Sequence, residues 1–276
     1  MGIILLALLI CLVLTPKEAM ADIEQLATTS IKTGTCVESE QKFGFGFVDV
    51  TSSLVCPSAR AFAANGKQGN IALSAQQTTA GQVLTSAEVF AEREENENPL
   101  PIPLRAEAKF VIDGGNLLFD GAGTIDFDIN LVFRVFERTA VLPKSETLWN
   151  TGGTLTGDFS GPPTLSLRGE DIGITQTGFN VDIPLTFIVL DLGIIPARGD
   201  VSISYEATFK SDLPRVEGAF WSFSDPGNIS GVGDFPIITF DTPPGGEVPE
   251  PATLTLLGIG IVALVVRQYR RTLRKL

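Results

Sequence analysis

Thr124-Ile125-Asp126-Phe127-Asp128-Ile129-Asn130-Leu131-Val132-Phe133-Arg134-Val135-Phe136 alternates apolar and polar side chains along almost its whole length. Ile125, Phe127, Ile129, Leu131, Phe133 and Val135 fall on one face. Asp126, Asp128, Asn130 and Arg134 fall on the other, and only Val132 breaks the rule. A period of two belongs to a strand with one side against a core and the other in water. A helix would repeat its apolar positions at a period of 3.6 instead.

The same rhythm extends outward in both directions. Phe43-Gly44-Phe45-Gly46-Phe47 sets three Phe on one face of a strand, with glycines opposite that leave room for close packing. Residues 71–74, 83–91, 106–112, 154–159, 164–167, 181–190, 201–210, 216–223 and 235–240 read as further strands. Asp113-Gly114-Gly115-Asn116 and Asp120-Gly121-Ala122-Gly123 read as turns. Residues 92–104 open with an acidic run and hold Pro99, Pro101 and Pro103, which marks a long loop or a subdomain boundary. Many short strands separated by Gly and Pro turns predict an all-β ectodomain, an antiparallel β-sandwich or jelly roll, over residues 22–240. No fixed-length repeat is present, which argues against a solenoid or propeller.

Both ends of the chain read as targeting signals. An apolar run from Ile3 to Leu14 precedes Ala19-Met20-Ala21, a small-x-small pattern that places signal-peptidase cleavage after Ala21. At the other end Val248-Pro249-Glu250-Pro251 leads into an apolar stretch, and residues 252–266 are expected to form a transmembrane helix. Arg267, Arg270, Arg271, Arg274 and Lys275 follow, and such a cluster stays cytoplasmic and puts the preceding chain outside. Asp241-Thr242-Pro243-Pro244-Gly245-Gly246 opens a spacer over 241–247.

A proline-bracketed Glu, a short span and a terminal Arg cluster resemble the PEP-CTERM sorting signal of Gram-negative bacteria, over residues 248–276. The same tail has been called an ice-binding-protein C-terminal motif. The resemblance implies that exosortase, a membrane protease, recognises the tail. It further implies an inner-membrane-anchored precursor and a final place at the cell surface or in an exopolysaccharide matrix.

Composition narrows the chemistry between the two signals. Residues 22–251 hold 14 basic and 31 acidic side chains, a net charge of −17. Such a body repels nucleic acid and anionic membrane surfaces. The chain contains no histidine, which removes His-based triads, Cys–His dyads and nearly all catalytic zinc sites. Neither a metal nor a cofactor is expected. Cys36 and Cys56 remain after signal removal, and an oxidising compartment favours their disulfide.

The remaining candidates are few. Asp126-Phe127-Asp128 begins like a calcium loop, but position six is Leu131 where such loops need Gly, so a strand is the expected reading although Glu137 stands at position twelve. Gly157-Asp158-Phe159-Ser160-Gly161 reads as a β-turn rather than a nucleophile elbow, since no His base exists. Trp149 and Trp221 are the candidate sugar contacts, and burial in a β core is the favoured reading of both. The leading expectation is a non-catalytic structural or interaction protein of the cell surface or matrix, with exosortase and signal peptidase as its processing partners. The alternative is a carbohydrate-binding module acting on exopolysaccharide, and a polysaccharide hydrolase is third.

Overall fold

The computed structural model describes residues 22–45, 48–66, 70–95, 103–137, 142–197, 199–225 and 237–241. The chain divides into a larger unit, Met1–Phe240, and a smaller one, Asp241–Leu276. The larger unit is all-β and antiparallel, and no helix occurs among the described residues. The strands are β1 (Asp22–Thr33), β2 (Cys36–Phe45), β3 (Val50–Cys56), β4 (Ala59–Asn65) and β5 (Ile71–Gln77). Next come β6 (Gly81–Glu95), β7 (Leu104–Ile112), β8 (Gly114–Phe136), β9 (Ser145–Asp158) and β10 (Thr164–Gly169). The last are β11 (Thr175–Thr177), β12 (Asn180–Ile183), β13 (Thr186–Ile195), β14 (Asp200–Asp225) and β15 (Ile237–Asp241).

Two long strands organise this unit. β8 has 23 residues and β14 has 26, and they pair antiparallel along most of their length. The first half of β14 also pairs with β6, which continues to β1 and β2. Its second half pairs with β5, which continues to β4 and β3. One 12-stranded sheet therefore bends at a corner, and its two arms face each other across a shared core. The register of β14 on β8 shifts between Asp212 and Arg215 and again between Val216 and Gly218. Bulges of this kind let a strand pass from one layer to the next.

The corner corrects two sequence readings. Asp120–Gly123 does not reverse the chain, because Gly121 and Ala122 keep their pairing with Val216 and Arg215. Gly123 has φ +115°, a conformation that L side chains rarely adopt, and bends β8 there. Likewise 201–210 and 216–223 are parts of one strand, with Pro214 accommodated in the bulge where no ladder hydrogen bond is required of it. Conversely the expected strand at 181–190 is broken at Pro184 into β12 and β13, which join different sheets. β6 runs through the acidic stretch to Glu95, and residues 96–102 lie outside the described residues.

The alternation at 125–135 is fully realised. Ile125, Phe127, Ile129, Leu131, Phe133 and Val135 are all buried. Phe209 of β14 stands among Phe127, Trp221 and Phe223, with ring centroids 5.8, 6.5 and 5.4 Å away. A smaller sheet, in the order β13-β7-β15, contributes to the same core, and its Phe110 meets Trp149 of β9 edge-on at 5.3 Å. Buried polar groups tie the two arms together. Trp221 Nε1 donates to Thr85 Oγ1 at 2.9 Å, and the Ser211 hydroxyl donates to Gln77 Oε1 at 2.6 Å.

The outer strands of the two arms, β2 and β3, meet as a seam. Cys36 and Cys56 form a disulfide there, with Cα atoms 6.3 Å apart. Glu40 Oε2 accepts the Ser53 N–H at 2.9 Å and lies 3.1 Å from the Ser52 hydroxyl. The Ser53 backbone bond is the main reason the Glu40 carboxyl is held below its ordinary pKa. Gly44 permits the close approach of Val50, since a Cβ at Gly44 would collide with that side chain. Side chains rather than a backbone ladder thus bring the sheet close to a closed barrel.

Candidate functional site

The targeting residues lie outside the described residues: Ala19 and Ala21, Val248, Pro249, Glu250 and Pro251, the expected helix at 252–266, and Arg267, Arg270, Arg271, Arg274 and Lys275. Within the described fold, the proposed sugar platforms are corrected. Trp221 is 0 % exposed and Trp149 is 6 % exposed, and both belong to the core cluster. Their neighbours are apolar and aromatic, so burial removes more apolar surface from water than a surface position would.

Asp126 and Asp128 do share one face, as the alternation requires, but the cation beside them is a side chain of the chain itself. Arg168 of β10 donates to Asp128 through Nε to Oδ1 at 2.9 Å and through Nη2 to Oδ2 at 2.6 Å. Its Nη1 donates to Thr154 Oγ1 at 3.0 Å, and Thr154 donates in turn to Asp126 Oδ1 at 2.6 Å. The hydrogen bond to Asp128 is the largest cause of the raised Arg168 pKa. β9 lies between the two strands, and Gly152 stands in register with both Asp128 and Arg168. A Cβ at Gly152 would collide with Phe127 O and crowd Asp128 Oδ1, so glycine opens the path that the guanidinium crosses.

The Gly157–Gly161 segment is a turn. Asp158 Oδ1 accepts the Ser160 N–H at 2.8 Å and the Ser160 hydroxyl at 2.5 Å, which lowers the Asp158 pKa. Ser160 thus serves the turn geometry, and Arg215 covers the Phe159 ring at 4.4 Å. Cys36, Glu38 and Cys56 are the one group of potential metal ligands gathered among the described residues, but the two sulfurs are bonded to each other. A disulfide supplies no thiolate ligand.

A groove on the outer face of β1, β2 and β6 was not found from the sequence. Glu24, Gln25, Leu26, Phe43, Gly44, Phe45, Glu88 and Phe90 line a volume of about 360 Å³. Phe43 is 65 % exposed and Phe45 is 71 % exposed. Glu88 stands opposite Glu206 in register, and burial together with the charges of Glu206 and Glu24 raises its pKa. The Phe-Gly alternation puts Phe43 and Phe45 on one face of β2 but does not by itself say whether that face looks inward or outward. The signal of an outward face is the polar Ser39 and Gln41, which share the face of Phe43 and Phe45 on β2.

Residues 247–271 match the family model of the PEP-CTERM protein-sorting motif. No curated protein matches the chain. A motif of this kind marks a chain that is exported as a membrane-anchored precursor and sorted through exosortase.

Proposed function

We propose that this chain is a non-catalytic structural or interaction protein of the cell surface or extracellular matrix, delivered by its two ends and acting through the β unit between them. The match at residues 247–271 carries this reading. Signal peptidase cleaves after Ala21, residues 252–266 hold the precursor in the inner membrane, and exosortase acts near Val248–Pro251. The bent sheet is read as a sandwich whose two layers share β8 and β14, stapled at its open side by Cys36–Cys56. A disulfide suits an oxidising exterior, and the −17 charge of residues 22–251 suits a soluble exterior body.

The test is a processing assay in cells. Replacing Pro249, Glu250 and Pro251 with Ala leaves the full-length precursor in the inner membrane, whereas the parent yields a shorter exported form. Normal processing of the triple variant would reduce the tail to a plain anchor. Turnover of any polysaccharide by the purified protein would overturn the non-enzymatic assignment.

A further inference from the structure

The outer face of β1, β2 and β6 arranges aromatic and acidic side chains in rows. Phe45, Glu24, Phe90 and Ser204 form one row across β2, β1, β6 and β14. Phe43, Leu26, Glu88 and Glu206 form the next. Large apolar side chains exposed together mark an interaction site more often than chance placement. Like charges directly opposite each other on neighbouring strands destabilise a sheet, as Glu88 and Glu206 must. The described side chains of these two rows, and those next to them on the same face (Gln41, Thr28, Ser86 and Thr208), include no cation. The groove therefore offers aromatic surface beside carboxylates that no described cation on this face offsets.

We propose that this groove binds an amino-sugar polymer, with the apolar faces of its rings on Phe43 and Phe45 and its ammonium groups toward Glu88 and Glu24. The geometry favours such a ligand over a single small cation. Phe43 and Phe45 are two residues apart on one strand, about 6.6–6.8 Å, so they offer successive platforms for successive rings. Among the described strands β2 pairs only with β1, and the groove lies along this outermost strand of its arm, so a polymer can continue beyond it. A cation over an aromatic face is attracted by the ring quadrupole, most strongly where water is excluded. Charge complementarity selects a cationic polymer, since a −17 body is repelled from anionic membranes and polyanions. This inference rests on the reading of the protein as an exterior interaction protein and names what it would hold there.

The test is calorimetric titration of the full-length protein in detergent with a glucosamine hexamer. The parent binds the hexamer and not its N-acetylated counterpart, which lacks the charge. Phe43→Ser with Phe45→Ser, and separately Glu88→Gln, each weaken binding by about tenfold or more. Both changes lie on exposed or half-buried positions, and unaltered far-ultraviolet dichroism and melting show that the variants fold. No binding by the parent, equal binding of the acetylated hexamer, or full binding by the double Phe variant overturns the proposal. Trilysine or phosphatidylcholine vesicles that bind as tightly, with the same dependence on Glu88, overturn it in favour of a generic ammonium site. Normal sorting with no hexamer binding sinks this inference alone, and failed sorting with intact binding sinks only the sorting reading.

Discussion

Two acidic clusters lie on the same outer face of one sheet and are treated in opposite ways. Asp126 and Asp128 on β8 are neutralised by Arg168, which reaches them across β9 and is held by Thr154 and Phe127 O as well. Glu88 on β6 faces Glu206 and Glu24 with only hydroxyl help, from Ser204 to itself and from Thr208 to Glu206. The difference lies in the neighbouring strand position. Beside Asp128 stands Gly152, whose missing side chain opens a channel for a long cation from the strand beyond. Beside Glu88 stand Leu26 and Glu206, which close that route and add a second negative charge. A carboxylate's fate on a sheet is thus decided by the size of the residue next to it as much as by charge.

The sharpest way to break the first cluster is to close its channel. Gly152→Ala is expected to destabilise the fold by about 2–3 kcal/mol, because the added Cβ collides with backbone that cannot yield without shifting β8. Urea denaturation measures this, and an unchanged midpoint would mean that β8 and β9 separate more freely than their register implies.

Removing the cation itself has a smaller effect on stability but a qualitative one on ion response. Arg168→Ala is expected to cost about 1 kcal/mol, since the bidentate pair is half exposed and screened by solvent. Calcium at low millimolar concentration leaves the melting temperature of the parent nearly unchanged and raises that of the variant. Equal calcium shifts in both proteins would show that Arg168 is not what excludes the ion.

The second cluster is expected to respond in the opposite sense. Glu88→Gln should stabilise the protein at neutral pH by a few tenths of a kcal/mol, the size of an opposed like-charge pair on a sheet. A loss of stability would show that the Ser204 bond outweighs the repulsion. The smallest effect is the pH dependence. The folded pKa of Glu88 lies above its unfolded value, so the folded state gains from protonation below the unfolded pKa. That gain is lost as pH rises through the folded pKa. Asp158 and Asp191 carry the reverse dependence, because their folded values are lowered, by the Ser160 and Arg105 bonds respectively, and their contribution is lost as pH falls through those values. Melting curves of Glu88→Gln and the parent should therefore converge as the pH is lowered, and a constant difference would remove Glu88 as the cause.

How much of this was readable in advance differs by region. The strand at 124–136 was legible because alternation is local: each residue's face follows from its own position, and the burial of Ile125 through Val135 agrees. The Asp120–Gly123 corner was misread because glycine serves a turn and a bend equally well, and only the partner strand tells them apart. Trp149 and Trp221 were legible as aromatic but not as buried, because residue type alone does not say which side of a strand faces the core; their burial rules out the sugar-contact reading and agrees with the core reading. Trp221 was settled by its place beside Phe209 and Thr85. The alternation at Phe43 and Phe45 fixed their shared face but not its exposure, since among the described strands β2 pairs with β1 alone and both side chains are exposed.

The chain alone therefore determined the all-β class, the absence of histidine chemistry, the acidic surface and the sorting motif at its end, because these depend on composition and on neighbours in sequence. Only the folded structure decided that β14 would pair with β8 and with both arms of the bent sheet, that Arg168 would meet Asp128 forty residues away, and that Phe43, Phe90, Glu24 and Glu88 would share one groove. Those pairings are set by strand register between distant segments. Register is fixed by the burial of whole faces and by the few bulges that shift them, and no short stretch of sequence contains it.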